Sequence, residues 1–199
     1  MSNRVLEELE KGHTRADVVE AVRIVREAGI AFRPSFVAFT PWTTIYDYLD
    51  LCNFTVDQDL VDHVDPIQLA IRLLIPPGSA LLESDRPRPW LRELVAEDFG
   101  YAWAHPDPRM DVLHGRVLAI VEAAAQAHGG EDAAITIEAI RRTAYETAGL
   151  PLPNGKPQPV TRHFAPKLTE PWFCCSEPSG QGSVKFTARA TAECDREQR

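Results

Sequence analysis

Two adjacent cysteines, Cys174 and Cys175, lie in the run Glu170-Pro-Trp-Phe-Cys-Cys-Ser-Glu-Pro178 and are the residues whose type and spacing best suit chemistry. Neighbouring Cα atoms stand ~3.8 Å apart across a trans peptide, whereas disulfides prefer ~4.4–6.8 Å. A bond between the two therefore closes a strained ring that is easier to reduce than a structural disulfide. That suits a switchable redox pair, with Cys175 as the more reactive thiol and Cys174 as its resolving partner. Reactivity requires thiolate, which Glu170 and Glu177 oppose unless a cation such as Arg72 lies close. The competing reading is a pair of reduced thiols packed as small hydrophobes. It is weakened by a Pro-rich surrounding that offers little core. Trp172 and Phe173 are large and apolar, which predicts that residues 168–178 dock near Arg72 and the loop after Thr40.

Gln68, Arg72, Thr40 and Thr43 are the other candidates, as groups facing a substrate or cofactor. Ligands of parallel α/β folds sit at the carboxyl ends of strands, and Arg72 and Thr40 fall at such ends in the reading below. For Arg72 an internal salt bridge is the rival role, and both stay open. No metal set can be assembled: His13, His63, His105, His114, His128 and His163 are scattered, Cys52 falls on a helix stripe, and Cys194 is near the end of the chain. There is no glycine-rich phosphate loop, no G-x-S-x-G and no H-E-x-x-H.

The elements that must position these residues begin with a short helix over 3–11. A second helix is capped by Thr14, with Asp17 three residues on and Gly29 as the stop. The apolar run 30–40 reads as a parallel strand buried on both faces. Thr44, with Asp47, caps a third helix whose stripe is Ile45, Tyr48, Leu49, Cys52 and Val56. A second strand is expected over 66–75, with Leu69, Ile71 and Leu73 on one face and Gln68, Ala70 and Arg72 on the other. Residues 14–75 thus read α-β-α-β, a right-handed parallel unit. A helical turn over 79–83 and a loop-rich stretch over 85–111 follow. Two helices then run over 110–128, with the stripe Leu113, Val117, Ile120, Val121 and Ala124, and over 132–148, with the stripe Ile137, Ile140 and Ala144, an antiparallel hairpin joined at Gly129-Gly130.

Seven of the 16 prolines fall between Leu150 and Ser179, so that stretch is expected to lack regular structure, and the polar end after it to be disordered. The expected organisation is therefore 1–84, a partial α/β barrel of two parallel strands with helices; 85–149, a loop plus helical hairpin; 150–178, a Pro-rich tail with the Cys-Cys motif; and 179–199, a disordered end. Twenty-one Lys and Arg against 29 Asp and Glu give a net charge of -8 without a basic cluster, which argues against a nucleic-acid partner. No segment has the length of a membrane span and no signal peptide is evident. Four cysteines without an export signal point to a reducing, cytoplasmic setting.

The segments GHTRADVVEAVRIVREAGIAFRPSFVAFTPWTTIYDYLDL and LVDHVDPIQLAIRLLIPPGSALLE resemble the later part of a radical SAM barrel. The loop RPWLRELVAEDFGYAWAHPDPRMDVL and the ending EPWFCCSEP are similar to the radical SAM group named for its CUAEP or CCAEP tail, with Ser176 in place of Ala. The resemblance implies an α/β fold, the C-terminal part of an incomplete (β/α) radical SAM-type barrel followed by an α-helical extension. It also implies S-adenosyl-L-methionine and a [4Fe-4S] cluster as cofactors. In that group the residue at Cys175 can be selenocysteine, which implies a redox or nucleophilic duty. The Cys-x-x-x-Cys-x-x-Cys loop that holds the cluster is absent from this sequence. The expectation is a radical SAM oxidoreductase portion that is inactive alone, its barrel completed by a missing N-terminal half or a separate chain. The rival is a non-catalytic partner module or remnant.

Overall fold

The structure, a computed structural model, describes residues 1–83, 85–127 and 132–153. Its helices start where the sequence places caps. Thr14 opens α2 (Arg15–Glu27) and Thr44 opens α3 (Ile45–Asp57), each through a reciprocal capping box. The threonine N–H groups donate to Asp17 at 2.7 Å and to Asp47 at 2.9 Å. These pairs satisfy N–H groups that a helix end otherwise leaves bare. Gly29, left-handed at φ 66°, follows the last turn of α2, as a C′ glycine should. Helix α1 (Asn3–Glu8) stops short of its expected end, and Glu10 turns left-handed just beyond it.

The main core is helical. After α4 (Ala80–Glu83), α5 (Pro108–Gln126) and α6 (Ala133–Ala148) pack together, and α6 also packs on α3. Asp107 and Asp132 cap α5 and α6 by accepting the N–H groups of Arg109 and Ala134, both at 3.0 Å. The expected stripes are buried: Tyr48 and Cys52 of α3, Leu113 and Val117 of α5, Ile137 and Ile140 of α6. They join one buried cluster with Phe39 and Leu69 from the earlier half of the chain.

The two expected parallel strands need correcting. Residues 30–40 and 66–75 do meet in parallel, but through a single bridge between Phe39 and Arg72. Phe39 N–H donates to Ile71 O at 2.9 Å, and Leu73 N–H to Phe39 O at 2.8 Å. Farther back, the Phe36 N–H goes to the Gln68 side chain at 3.0 Å and not to a backbone carbonyl of the second stretch. In the second, Pro66–Leu69 is a 3-10 turn: the Asp65 side chain accepts Ile67 N–H at 3.4 Å and Pro66 occupies the first turn. Ala70 is buried together with Leu69 and Ile71, so the strand-like alternation does not sort its two faces into core and solvent.

The stretch expected to be loop-rich contains the sheet. Strands β1 (Leu91–Val95) and β2 (Gly100–Trp103) form an antiparallel hairpin, with Leu91 opposite Trp103, Val95 opposite Gly100 and an irregularity between Leu91 and Leu94. The far side of β2 leans on residues 71–75: Tyr101 N–H donates to Ile75 O and Trp103 Nε1–H to Leu73 O, both at 2.8 Å. A small second core of Ile75, Trp90 and Trp103 lies here. Gly100 is required by the approach, because a Cβ there would stand 2.8 Å from Leu74 Cδ1 and 3.0 Å from Ile75 O. The architecture is mixed helix and strand, with a two-stranded sheet among the described residues.

Candidate functional site

Arg72 leaves the parallel bridge and reaches toward the hairpin and the start of α5. Its Nη1 donates to Asp111 Oδ1 at 2.8 Å and its Nη2 to Trp103 O at 2.5 Å, while the guanidinium lies 3.7 Å from the Trp103 ring centroid. Only 12% of the side chain is exposed. A planar guanidinium suits this combination of fork and stacked face, where an ammonium would supply only charge. Of the two roles left open for Arg72, the structure displays the internal salt bridge.

Thr40 and Thr43 are both buried and bond each other, Oγ1 to Oγ1 at 2.8 Å. Thr40 Oγ1 also accepts Thr43 N–H at 3.2 Å, which closes the turn leading into α3. Sequence reasoning set His105 aside as scattered, yet it is what joins this turn to Arg72. Asp107 N–H donates to Nδ1 at 2.8 Å and Asp107 O lies 3.0 Å from the same nitrogen, while Nε2 faces Thr43 O at 2.9 Å, an acceptor that a hydrogen on Nε2 satisfies. His105 N–H in turn donates to Asp111 Oδ2 at 3.0 Å. Asp111 therefore takes Arg72 on one oxygen and the His105 backbone on the other. The four-residue link Thr43–His105–Asp111–Arg72 ties the turn before α3, the start of α5 and the parallel bridge together.

Gln68 stands apart from that group, with Oε1 accepting Phe36 N–H at 3.0 Å. His114 packs edge-on against Phe39 with ring centroids 4.9 Å apart, and its Nε2 lies 3.1 Å from Ala70 O. Burial, then the nearby Arg72 charge, holds its pKa below the ordinary histidine value. A second polar group went unread in the sequence: Asn53, Arg141 and Tyr145 join α3 to α6, with Asn53 Nδ2 donating to Tyr145 Oη at 2.8 Å and Arg141 Nε to Asn53 Oδ1 at 3.2 Å. Its only sequence signal was an arginine on the apolar side of a helix.

The structure thus brings Arg72 and Thr43 into one network and leaves Gln68 outside it. Cys174 and Cys175 lie outside the described residues, as do the expected tail docking and the disordered end. Compared with known proteins, the chain matches no family model, no curated protein and no solved structure.

The described residues do not fit an iron–sulfur cluster, which needs several closely placed thiolates. Cys52 is the one cysteine among them, and burial pushes its thiol up to about 12, so it stays protonated. Among the described residues no group of three or more His, Cys, Asp or Glu is placed to hold a metal ion. None of their helices is long and apolar enough to cross a membrane.

Proposed function

We propose that the chain is the C-terminal, substrate-side portion of a radical SAM oxidoreductase, a cytoplasmic protein whose cluster is held by residues outside this sequence. The observation that carries this reading is the bridge between Phe39 and Arg72. Segments on either side of helix α3 meet in parallel at that one bridge, which is the order in which successive units of a (β/α) barrel would meet. Thr40 and Thr43 follow the first stretch, where barrel enzymes place ligand-facing groups. In this reading Cys174 and Cys175 supply the thiol chemistry, and a barrel-completing polypeptide supplies the cluster and most contacts to S-adenosyl-L-methionine.

The test is reconstitution. The neighbouring reading frames are searched for a Cys-x-x-x-Cys-x-x-Cys loop, whose absence counts against the reading; a polypeptide that carries one is co-expressed with the full chain, loaded with iron and sulfide, and assayed for 5′-deoxyadenosine. The expected result is product only when both chains are present and co-purify. Stoichiometric iron and turnover by this chain alone would overturn the reading, as would partner turnover that ignores it.

One observation favours the second reading, a non-catalytic partner module: Arg72, Thr40, Thr43 and Gln68 all bond within the chain. Arg72→Met bears on the choice: in the reconstituted pair, product formation falls only in step with stability if the guanidinium serves the fold alone, and falls further than stability does if it also serves a ligand.

A further inference from the structure

The turn of the hairpin carries an aromatic residue whose ring is left exposed. Phe99 is left-handed at φ 58°, a region that glycine and asparagine occupy readily and a bulky aromatic does not. The strain at Phe99 would be offset if its ring were buried, yet the residue is 72% exposed. Leu94, on the paired strand, is 47% exposed. The left-handed backbone ends the 3-10 turn Ala96–Asp98, with Phe99 N–H donating to Ala96 O at 3.2 Å, but the turn does not require an aromatic side chain there, and the ring gains no burial among the described residues.

The surroundings say what would supply that burial. Glu93 and Glu97 are exposed and Asp98 is half-buried, so three carboxylates border the Phe99 turn. None of the three has an ion-pair partner among the described residues. An aromatic knob with an acidic border matches an apolar pocket with a basic border: the centre supplies burial and the rim supplies steering and orientation. The same carboxylates repel nucleic acid and anionic lipid surfaces, which selects a protein as the occupant.

We infer that the β1–β2 turn is a docking knob, with Phe99 as anchor, for another protein that offers an apolar pocket rimmed by Lys or Arg. The inference stands apart from the radical SAM reading, since it uses neither the cluster nor the Arg72 network.

A photo-reactive benzoylphenylalanine at exposed Ala96 of the full chain, expressed in its own cells, captures whatever lies over the turn. The captured protein is identified, purified and titrated against the wild-type chain, Phe99→Gly and Glu93→Lys/Glu97→Lys. Phe99→Gly should weaken binding by at least about 30-fold, the loss expected of an interface anchor. It should leave the melting temperature unchanged or raised, because glycine accepts the left-handed backbone. The double charge reversal should weaken binding and flatten its salt dependence. Equal affinity of Phe99→Gly, or a melting temperature that falls with it, would overturn the inference. So would a cross-link that returns to residues 154–199 of the same chain, or no cross-link above that from exposed Ile135 on α6.

Discussion

Replacing Arg72 by Met removes the guanidinium while keeping most of the stem against Trp103. At least two hydrogen bonds are lost, one of them to a carboxylate at 2.8 Å, together with the stacking 3.7 Å above the indole. Breaking a fully buried ion pair costs about 3–5 kcal/mol, and a hydrogen bond to a charged group is worth about 1.5–3 kcal/mol. Asp111 is 35% exposed and keeps the His105 N–H on its other oxygen, so the abandoned carboxylate is partly solvated. We therefore expect Arg72→Met to lose about 2–3 kcal/mol. Asp111→Asn should lose less, about 1–2 kcal/mol, because Arg72 retains Trp103 O and the ring. The double variant should cost little more than Arg72→Met itself, a coupling of about 1 kcal/mol or more. Urea unfolding of the full chain reads this as a shift in midpoint at constant slope. If Arg72→Met costs under about 0.5 kcal/mol, the range of an ordinary surface change, or if the two effects add, the guanidinium is not committed to the fold and the ligand role returns.

Gly100→Ala should destabilise by about 1–3 kcal/mol, since Leu74 Cδ1 can yield but the Ile75 carbonyl cannot; a melting temperature equal to wild type would refute the close approach. His114 gives an acid limb. Its folded pKa is depressed by burial, so as pH falls below about 6.5 the unfolded chain takes up a proton that the folded chain refuses, and stability drops until the folded pKa is reached. His114→Gln should therefore show a shallower loss of stability between about pH 6.5 and 5, and an unchanged slope would refute this assignment. Cys52, its thiol pushed up to about 12, should resist iodoacetamide at about pH 8 in the native protein and react once urea unfolds it; peptide mass mapping reads both states.

Local signals carried the helical part of the fold. Thr14 with Asp17, Thr44 with Asp47, and Gly29 are short-range arrangements whose energies do not depend on what the rest of the chain does. The apolar stripes of α3, α5 and α6 were legible for the same reason: a helix repeats its buried face within its own length. The strands were not, because their pairing is decided elsewhere. Leu69 to Leu73 alternates as a strand should, yet Asp65-Pro66 just before it starts a 3-10 turn, and that competing signal won. The β1–β2 hairpin was hidden for the opposite reason. Its strands are short, its turn uses Phe99 where glycine would have announced it, and its sequence alternation is broken between Leu91 and Leu94.

The candidate site was legible in its members and not in their partners. Arg72 was picked out because a guanidinium on a mostly apolar stretch needs a counter-charge, which is a statement about one residue. Asp111 answers it from 39 positions away, and nothing in either local sequence announces the match. His105 shows the same limit more sharply. As an isolated histidine among six it carried no information, and its importance comes from standing between Thr43 and Asp107 with both ring nitrogens in hydrogen-bond contact. These bonds also narrow what Arg72 can do for a ligand. An anion reaching the guanidinium would have to displace the Asp111 carboxylate, and Asp111 would then keep only the His105 N–H of the two donors it holds. Ligand binding at this end would loosen the link between the turn before α3 and the start of α5. A fold role and a ligand role for Arg72 are thus coupled through one carboxylate, and Asp111→Asn, which weakens the competitor without touching the guanidinium, would strengthen anion binding in the ligand role and only lower stability in the fold role.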